Sequence, residues 1–193
     1  MNRKIKADLF RYEGLSGTMG FLKGLLIPGF RYMYLLRKAA SYKRNSLPWI
    51  FYSILKRHYS YKYGFQIPTY TNIGEGLYIG HHGTIVINPK AIIGNNCNIA
   101  HGVTIGQANR GKLNGYPIIG NNVWIGTGAV IVGNIQIGSN VLIAPNTFVN
   151  VPVADHSLAI GNPCKIIKKE NPCEGYIDFV FNELVFKKKR LSF

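Results

Sequence analysis

The sequence of 193 residues predicts a mainly β protein, a triangular parallel β-helix preceded by a short α-helical segment. Three observations predict it. A branched apolar residue recurs every six positions through the middle of the chain, the residue after it is usually Gly or Ala, and the first third lacks this period and spaces its apolar residues as helices do.

The helical segment is expected over residues 1–65. Lys4 to Arg11 reads as one amphipathic helix. Leu47 to Tyr63 reads as another, because Ser46 and Pro48 form a start signal and Ile50, Ile54, Leu55 and His58 follow at helical spacing. Tyr32, Tyr34, Tyr42, Trp49, Phe51, Tyr52, Tyr59, Tyr61 and Tyr63 make this segment dense in rings. Core and packing roles are expected for them, since no ligand is needed to explain such a set.

The β-helix is expected over 66–168. Its inward apolar positions are 73, 79, 85, then 93, 99, 105, then 119, 125, 131, then 137, 143, 149. No helix sustains a period of six. Small residues follow at Gly74, Gly80, Gly94, Ala100, Gly106, Gly120, Gly126, Gly138 and Ala144, and compact ones stand four places after the apolar position at Cys97, Val103, Val123, Ala129, Val141 and Thr147. Six residues thus make one short strand and one corner, and three strands close a coil. Successive coils pair as parallel strands about 4.8 Å apart, so each buries the inward residues of the next.

The period breaks twice, by eight residues between Ile85 and Ile93 and by fourteen between Ile105 and Ile119. Both breaks fall after the third strand of a coil, so one edge of the prism carries a bulge at Ile87–Lys90 and a loop at Gln107–Pro117 rich in Asn, Gly, Arg and Lys. Loops on a rigid scaffold carry function; the plain alternative is a tolerated insertion. Allowing for the insertions, the residues two places after the second-strand positions form an outward column: His81, His101, Thr127 and Pro145.

The net charge of +15 is uneven: residues 1–63 hold thirteen Lys and Arg against Asp8 and Glu13, while 64–164 hold only Lys90, Arg110 and Lys112. Residues 169–193 read as a basic C-terminal tail. Such ends suit nucleic acid, an anionic membrane, a polyanionic ligand, or simply solvent. Three cysteines without metal-ligand spacing argue against a disulfide framework and a zinc site. With no secretory start and no apolar run long enough to cross a bilayer, a soluble cytoplasmic protein is expected.

Gly76-Leu77-Tyr78-Ile79-Gly80-His81, Gly102-Val103-Thr104-Ile105-Gly106, Ile125-Gly126-Thr127-Gly128-Ala129 and the closing Gly161-Asn162-Pro163-Cys164-Lys165 resemble the left-handed β-helix acyltransferases over about residues 5–168. Within them the sequence is most similar to the serine acetyltransferases and the sugar O-acetyltransferases of capsule and exopolysaccharide clusters. The resemblance implies a left-handed coil, an exception to the usual right-handed crossover, a homotrimer with sites between subunits, and acetyl-CoA as co-substrate. His81, in Gly80-His81-His82-Gly83-Thr84, inherits the role of general base, a role that suits an imidazole, which can take a proton and give it back. His82, His101 and Tyr116 are candidate acceptor contacts. Thr127 and Pro145 match the pantetheine groove, Gly106 and Gln107 the start of the loop over the cofactor, and Lys165 the basic tail that meets its phosphates. Lys168 and Lys169 serve equally well as solvated residues.

Departures from the family pattern set the acceptor expectation. The carboxylate that orients the family's histidine corresponds to Gln66, and the Asp before that histidine corresponds to Gly80. The loop's Arg-His-Pro corresponds to Gly115-Tyr116-Pro117, which leaves a free amino acid's carboxylate without an Arg. The expected activity is therefore acetyl-CoA-dependent O-acetylation of a sugar hydroxyl in surface-polysaccharide biosynthesis, with the sugar stacked on Tyr116. Serine O-acetylation in cysteine biosynthesis is the alternative, and a noncatalytic scaffold a third reading. Nucleic acid ranks last, for want of a reading module. The basic, aromatic N-terminus is a candidate for peripheral contact with a membrane-bound glycolipid, and its short length implies a single trimer.

Overall fold

The computed structural model describes residues 2–181. Four helices come first: α1 (Arg3–Phe10), α2 (Gly17–Gly24), α3 (Pro28–Ala40) and α4 (Leu47–Tyr63). Asn2 caps α1 by accepting the Lys4 N–H, and α4 begins at Ser46 with Pro48 in its first turn and stops at Gly64, whose φ of 76° closes it in the left-handed conformation. α4 has the expected bounds. The separate helices α2 and α3 are new, and α3 holds the centre of the layer with Phe30, Tyr32, Met33 and Leu36 fully buried.

One expectation is reversed. Of the expected stripe, Ile50, Ile54 and His58 face outward and Leu55 alone turns inward, and Phe51 and Tyr61 are exposed, not packed. α4 instead lies on α3 and on the strand that follows it, β1 (Phe65–Gln66), through Tyr52, Leu55, Tyr59 and Tyr63, a stripe of equally good helical spacing. Periodicity detects a face without saying which of two faces is covered.

The solenoid has three walls. The first consists of β2 (Asn72–Ile73), β5 (Ile92–Ile93), β8 (Ile118–Ile119) and β11 (Gln136–Ile137). The second consists of β3 (Tyr78–Ile79), β6 (Asn98–Ile99), β9 (Val123–Ile125), β12 (Val141–Ile143) and β14 (Ser157–Ile160). The third consists of β1 (Phe65–Gln66), β4 (Ile85–Ile87), β7 (Thr104–Gly106), β10 (Val130–Val132) and β13 (Phe148–Val149). All are parallel, in the register that stacks Ile79, Ile99, Ile125 and Ile143. Every one of the twelve predicted inward positions is buried in one continuous core, each contributing about 1.5–3 kcal/mol.

The corner after the first wall is glycine in each coil, at Gly74, Gly94, Gly120 and Gly138, because a Cβ there would lie 2.4–2.6 Å from backbone of the following coil. The corner after the second wall is looser at some levels and admits Ala100 and Ala144.

Both ends are closed. At the start, buried Asp8 of α1 accepts from Arg37 of α3 (2.9 Å) and from the Gly76 and Leu77 N–H groups (2.9 and 3.0 Å), while Arg37 also donates to the carbonyls of Ile73 and Gly74. At the far end the chain reverses, and β15 (Lys165–Lys168) pairs antiparallel with β14. Residues 171–181 then cross the second wall: Tyr176 packs on Trp124 at 4.8 Å, Cys173 on Leu142 and Ala144, and Asn98 donates to the Tyr176 carbonyl at 2.9 Å. The start of the basic tail is thus packed against the prism; residues 182–193 lie outside the described residues. The three cysteines are free, and burial pushes the Cys97 thiol up to about 12. Among the described residues no helix is long and apolar enough to cross a membrane.

Candidate active site

The register places His81, His101, Thr127 and Pro145 one above another on the edge between the second and third walls. His81 and His101 are exposed, with rings edge-to-face at 6.0 Å. Corner hydrogen bonds hold the column in step: Gly128 N–H donates to the His101 carbonyl (3.0 Å) and Asn146 N–H to the Thr127 carbonyl (2.8 Å).

The helical layer clamps the base of this column. The Tyr12 hydroxyl donates to the Ile79 carbonyl at 3.1 Å and lies 3.3 Å from the Ile79 nitrogen, satisfying the outer edge of β3 two residues before His81. Gly29 of α3 comes so close that a Cβ would lie 2.0 Å from the same carbonyl oxygen. On the other side Gly83 N–H donates to the Tyr63 carbonyl (2.9 Å), and the Tyr63 ring lies 6.3 Å from that of His82. Arg31 donates to the Tyr63 hydroxyl (2.8 Å) and covers the Tyr59 ring. Burial pushes the Tyr63 phenol up, against the pull of Arg31.

A cavity of about 490 Å³ opens at Gly80, next to His81. Tyr12, Tyr78 and Asn98 line it together with Arg11, Glu13 and Asp178. The Arg11 guanidinium is committed to the carbonyls of Gly76 and Asp178 and to Asn98, and burial lowers its pKa. Glu13 was not anticipated. It is one of only two acids in the first 63 residues and sits at φ 53° between α1 and α2, so a lone acid at a break between helices was the available signal.

Bulge and loop occupy the opposite edge of the third wall, as predicted. The Gln107 side chain accepts from Asn88 at 3.3 Å and donates to Asn109, tying loop to bulge, and Ala108 pairs with Gly115 across the loop's neck. Lys90 places its ammonium 5.0 Å from the Tyr116 ring centroid, and the proximity of the Tyr116 hydroxyl holds that ammonium above its ordinary value. A cation therefore accompanies the loop position where sequence reading found only Gly115 and Tyr116. Between the edges, Gln66 and Gly106 line a cleft of about 410 Å³ with Val86, Asn88 and Lys56. Lys165 stands exposed on β15, beyond Pro145 and past the last coil.

Of the candidate residues, the fold brings His81, His82, His101, Thr127 and Pro145 to one edge, and Gly106, Gln107 and Tyr116 to another. Within one chain the third wall separates the two groups. Among the described residues no hydrogen bond or ion pair joins a carboxylate to His81.

Residues 116–150 match the family model "Bacterial transferase hexapeptide (six repeats)". The chain is 36% identical to Serine acetyltransferase 2 of Arabidopsis thaliana over 114 residues, 59% of this chain and 35% of that protein. The curated relatives first in similarity are spanned by it over 32–58% of their length. Among solved structures, apo soybean serine acetyltransferase is 30% identical with a TM-score of 0.70 over 85% of this chain and 67% of that one, and the soybean enzyme has also been solved with serine. The serine acetyltransferase of Brucella abortus strain S19 in complex with coenzyme A is 27% identical, with a TM-score of 0.69 over 86% of this chain and 67% of that one. By these likenesses, carried through the helical layer as well as the prism, the chain belongs to the serine acetyltransferase family of hexapeptide-repeat acyltransferases.

Proposed function

We propose that this chain transfers an acetyl group from acetyl-CoA to a hydroxyl, with L-serine as the acceptor. The observation that carries the reading is the exposed His81, fixed at its base by Tyr12 and Gly29 and directly following Gly80, which lines a cavity together with Glu13. The neutral His81 imidazole takes the proton of the acceptor hydroxyl as its oxygen attacks the thioester carbonyl. The tetrahedral intermediate collapses with cleavage of the C–S bond, and the departing coenzyme A sulfur receives the proton back. The oxygen ester forms and the thioester breaks, so no further reagent is needed.

The sugar expectation rested on missing charges, and two charged groups answer it. Glu13 offers a carboxylate to the serine ammonium in the cavity beside Gly80, and Lys90 brings a cation to the loop where an Arg is lacking. Serine bound to the soybean relative and coenzyme A bound to the Brucella relative support the same pair of substrates. In this reading His82, His101 and Tyr116 contact the acceptor, while Gly106, Gln107, Thr127, Pro145 and Lys165 follow coenzyme A. Because one chain keeps Tyr116 and His81 on different edges, a complete site needs a second copy, and a homotrimer meets that need.

A neutral sugar acceptor is the second reading, favoured by the Tyr116 ring and by Gly115 in place of a cationic residue. Thiol release from acetyl-CoA, measured with L-serine and with neutral sugars in parallel, separates the two. Serine-dependent release that falls about a hundredfold or more in His81→Ala is expected. Turnover with sugars and none with serine overturns the acceptor, and a fully active His81→Ala overturns the base.

A further inference from the structure

We infer that the outer face of the helical layer is a docking surface for an anionic lipid bilayer. This inference is independent of the acceptor. Residues 14–74 contain nine Lys and Arg and not a single Asp or Glu. On this stretch two apolar stripes face solvent: Met19, Leu22 and Leu26 in and just after α2, and Leu47, Phe51 and Ile54 on α4, each 54–84% exposed. Their spacings, i, i+3, i+7 and i, i+4, i+7, confine each stripe to one helical face.

The stripes belong to one surface. Tyr34 of α3 touches Phe21 of α2 at 5.2 Å and Tyr52 of α4 at 6.3 Å, so α2 and α4 flank the same side of α3. Exposed cations border them: Lys23 beside Leu22, Lys43 and Arg44 just before Leu47, and Arg57 a turn beyond Ile54. An apolar stripe flanked by cations and free of acids is the arrangement that lies in a headgroup layer, with aliphatic side chains among the acyl chains and ammonium groups among the phosphates.

Charge complementarity selects this occupant. A second copy of the same face would bring cation against cation with no acid to pair them, and a nucleic-acid backbone has no use for six exposed apolar side chains. A bilayer carrying negative headgroups uses both components at once. The arrangement also leaves the active edge near the surface, since α4 runs from the stripe to Gly64, whose neighbours are Gly83 and Thr84.

The test is sedimentation of the full chain with vesicles of phosphatidylglycerol and phosphatidylcholine in equal parts, and with vesicles of phosphatidylcholine alone. Binding to the mixed vesicles, weakened by salt and absent with phosphatidylcholine alone, is expected. Two double variants at exposed sites, Phe51→Asp with Ile54→Asp and Lys43→Glu with Arg44→Glu, are each expected to lower partitioning at least about tenfold while leaving lipid-free turnover and oligomeric state unchanged. Failure of the unaltered chain to bind mixed vesicles, or equal binding by both variants, overturns the inference. So does a smaller oligomer by light scattering in the Phe51/Ile54 variant, which would assign the face to a subunit contact.

Discussion

Replacing Arg37 with Met tests how the helical layer is fastened to the first coil. Asp8 is fully buried, and burial pushes its carboxyl up while the Arg37 guanidinium and then the Leu77 and Gly76 N–H groups pull it down. Met fills the space but leaves the carboxylate without its guanidinium partner and the Gly74 carbonyl without the Arg37 N–H, while the Ile73 carbonyl keeps the Lys4 ammonium at 2.9 Å. Breaking a buried pair from one side costs about 3–5 kcal/mol, and at roughly 2–4 °C per kcal/mol for a chain of this size the thermal midpoint should fall by about 10 °C. The sign of the pH dependence follows from the carboxyl. Without Arg37 its folded-state pKa rises further above the unfolded value, so the folded state holds the proton more tightly, and stability present at low pH is lost as pH climbs through the folded-state pKa. The deficit should therefore be larger at neutral pH than at mildly acidic pH. Adding Asp8→Asn removes the charge but keeps the Oδ1 acceptor that both N–H groups use, and should recover about half the loss. Melting followed by circular dichroism at the two pH values reads all three chains. Equal losses in the single and double variants, or a deficit indifferent to pH, would refute the buried-charge account.

Three further outcomes follow from the same geometry. Gly94→Ala places a Cβ 2.4 Å from the Gly120 carbonyl oxygen, where backbone and not a flexible side chain must yield, and should cost about 1–3 kcal/mol by denaturant titration; an unchanged midpoint would show that the corner is looser than it looks. Cys97, its thiol pushed up to about 12 by burial, should resist alkylation in the folded chain at pH 8 while the half-exposed Cys164 reacts, as read by peptide mass spectrometry; equal labelling rates would contradict the buried assignment. Tyr12→Phe strips the Ile79 backbone of its partner hydroxyl and should lower stability by about 1–3 kcal/mol and lower turnover through misplacement of His81; unchanged turnover would separate the β3 edge from the site.

The prism was fully legible because its physics is local and repetitive: Ile73 and Ile131 obey the same rule of burial at the same spacing, and a six-residue period has no helical interpretation. The placement of both insertions on one edge followed from counting alone. The helical layer was only half legible, since α4 offers two apolar faces and packing on α3 selects Tyr52, Leu55 and Tyr59 over Ile50 and Ile54. For the site, sequence spacing located the His81–His101 column but could not reveal that Glu13 reaches the cavity at Gly80 or that Lys90 reaches Tyr116. Those meetings depend on how a helix turn docks on a strand and how a bulge faces a loop, and neither is encoded by a repeat.

The chain reversal after β14 has a consequence for how such a molecule stays finite. A stack of parallel coils ends in a row of unsatisfied backbone groups that is a template for the next coil, whether from the same molecule or another. Running β15 backwards along β14 spends those groups on a strand of opposite polarity, with Lys165 and Lys168 at its two ends. At the other end Tyr12 and the Asp8–Arg37 pair do the equivalent work on β3 and on the backbone leading into it. With the second wall ended on both sides by something other than a coil, a further coil cannot add there in the parallel register of the stack, and the number of coils between the two closures becomes free to vary.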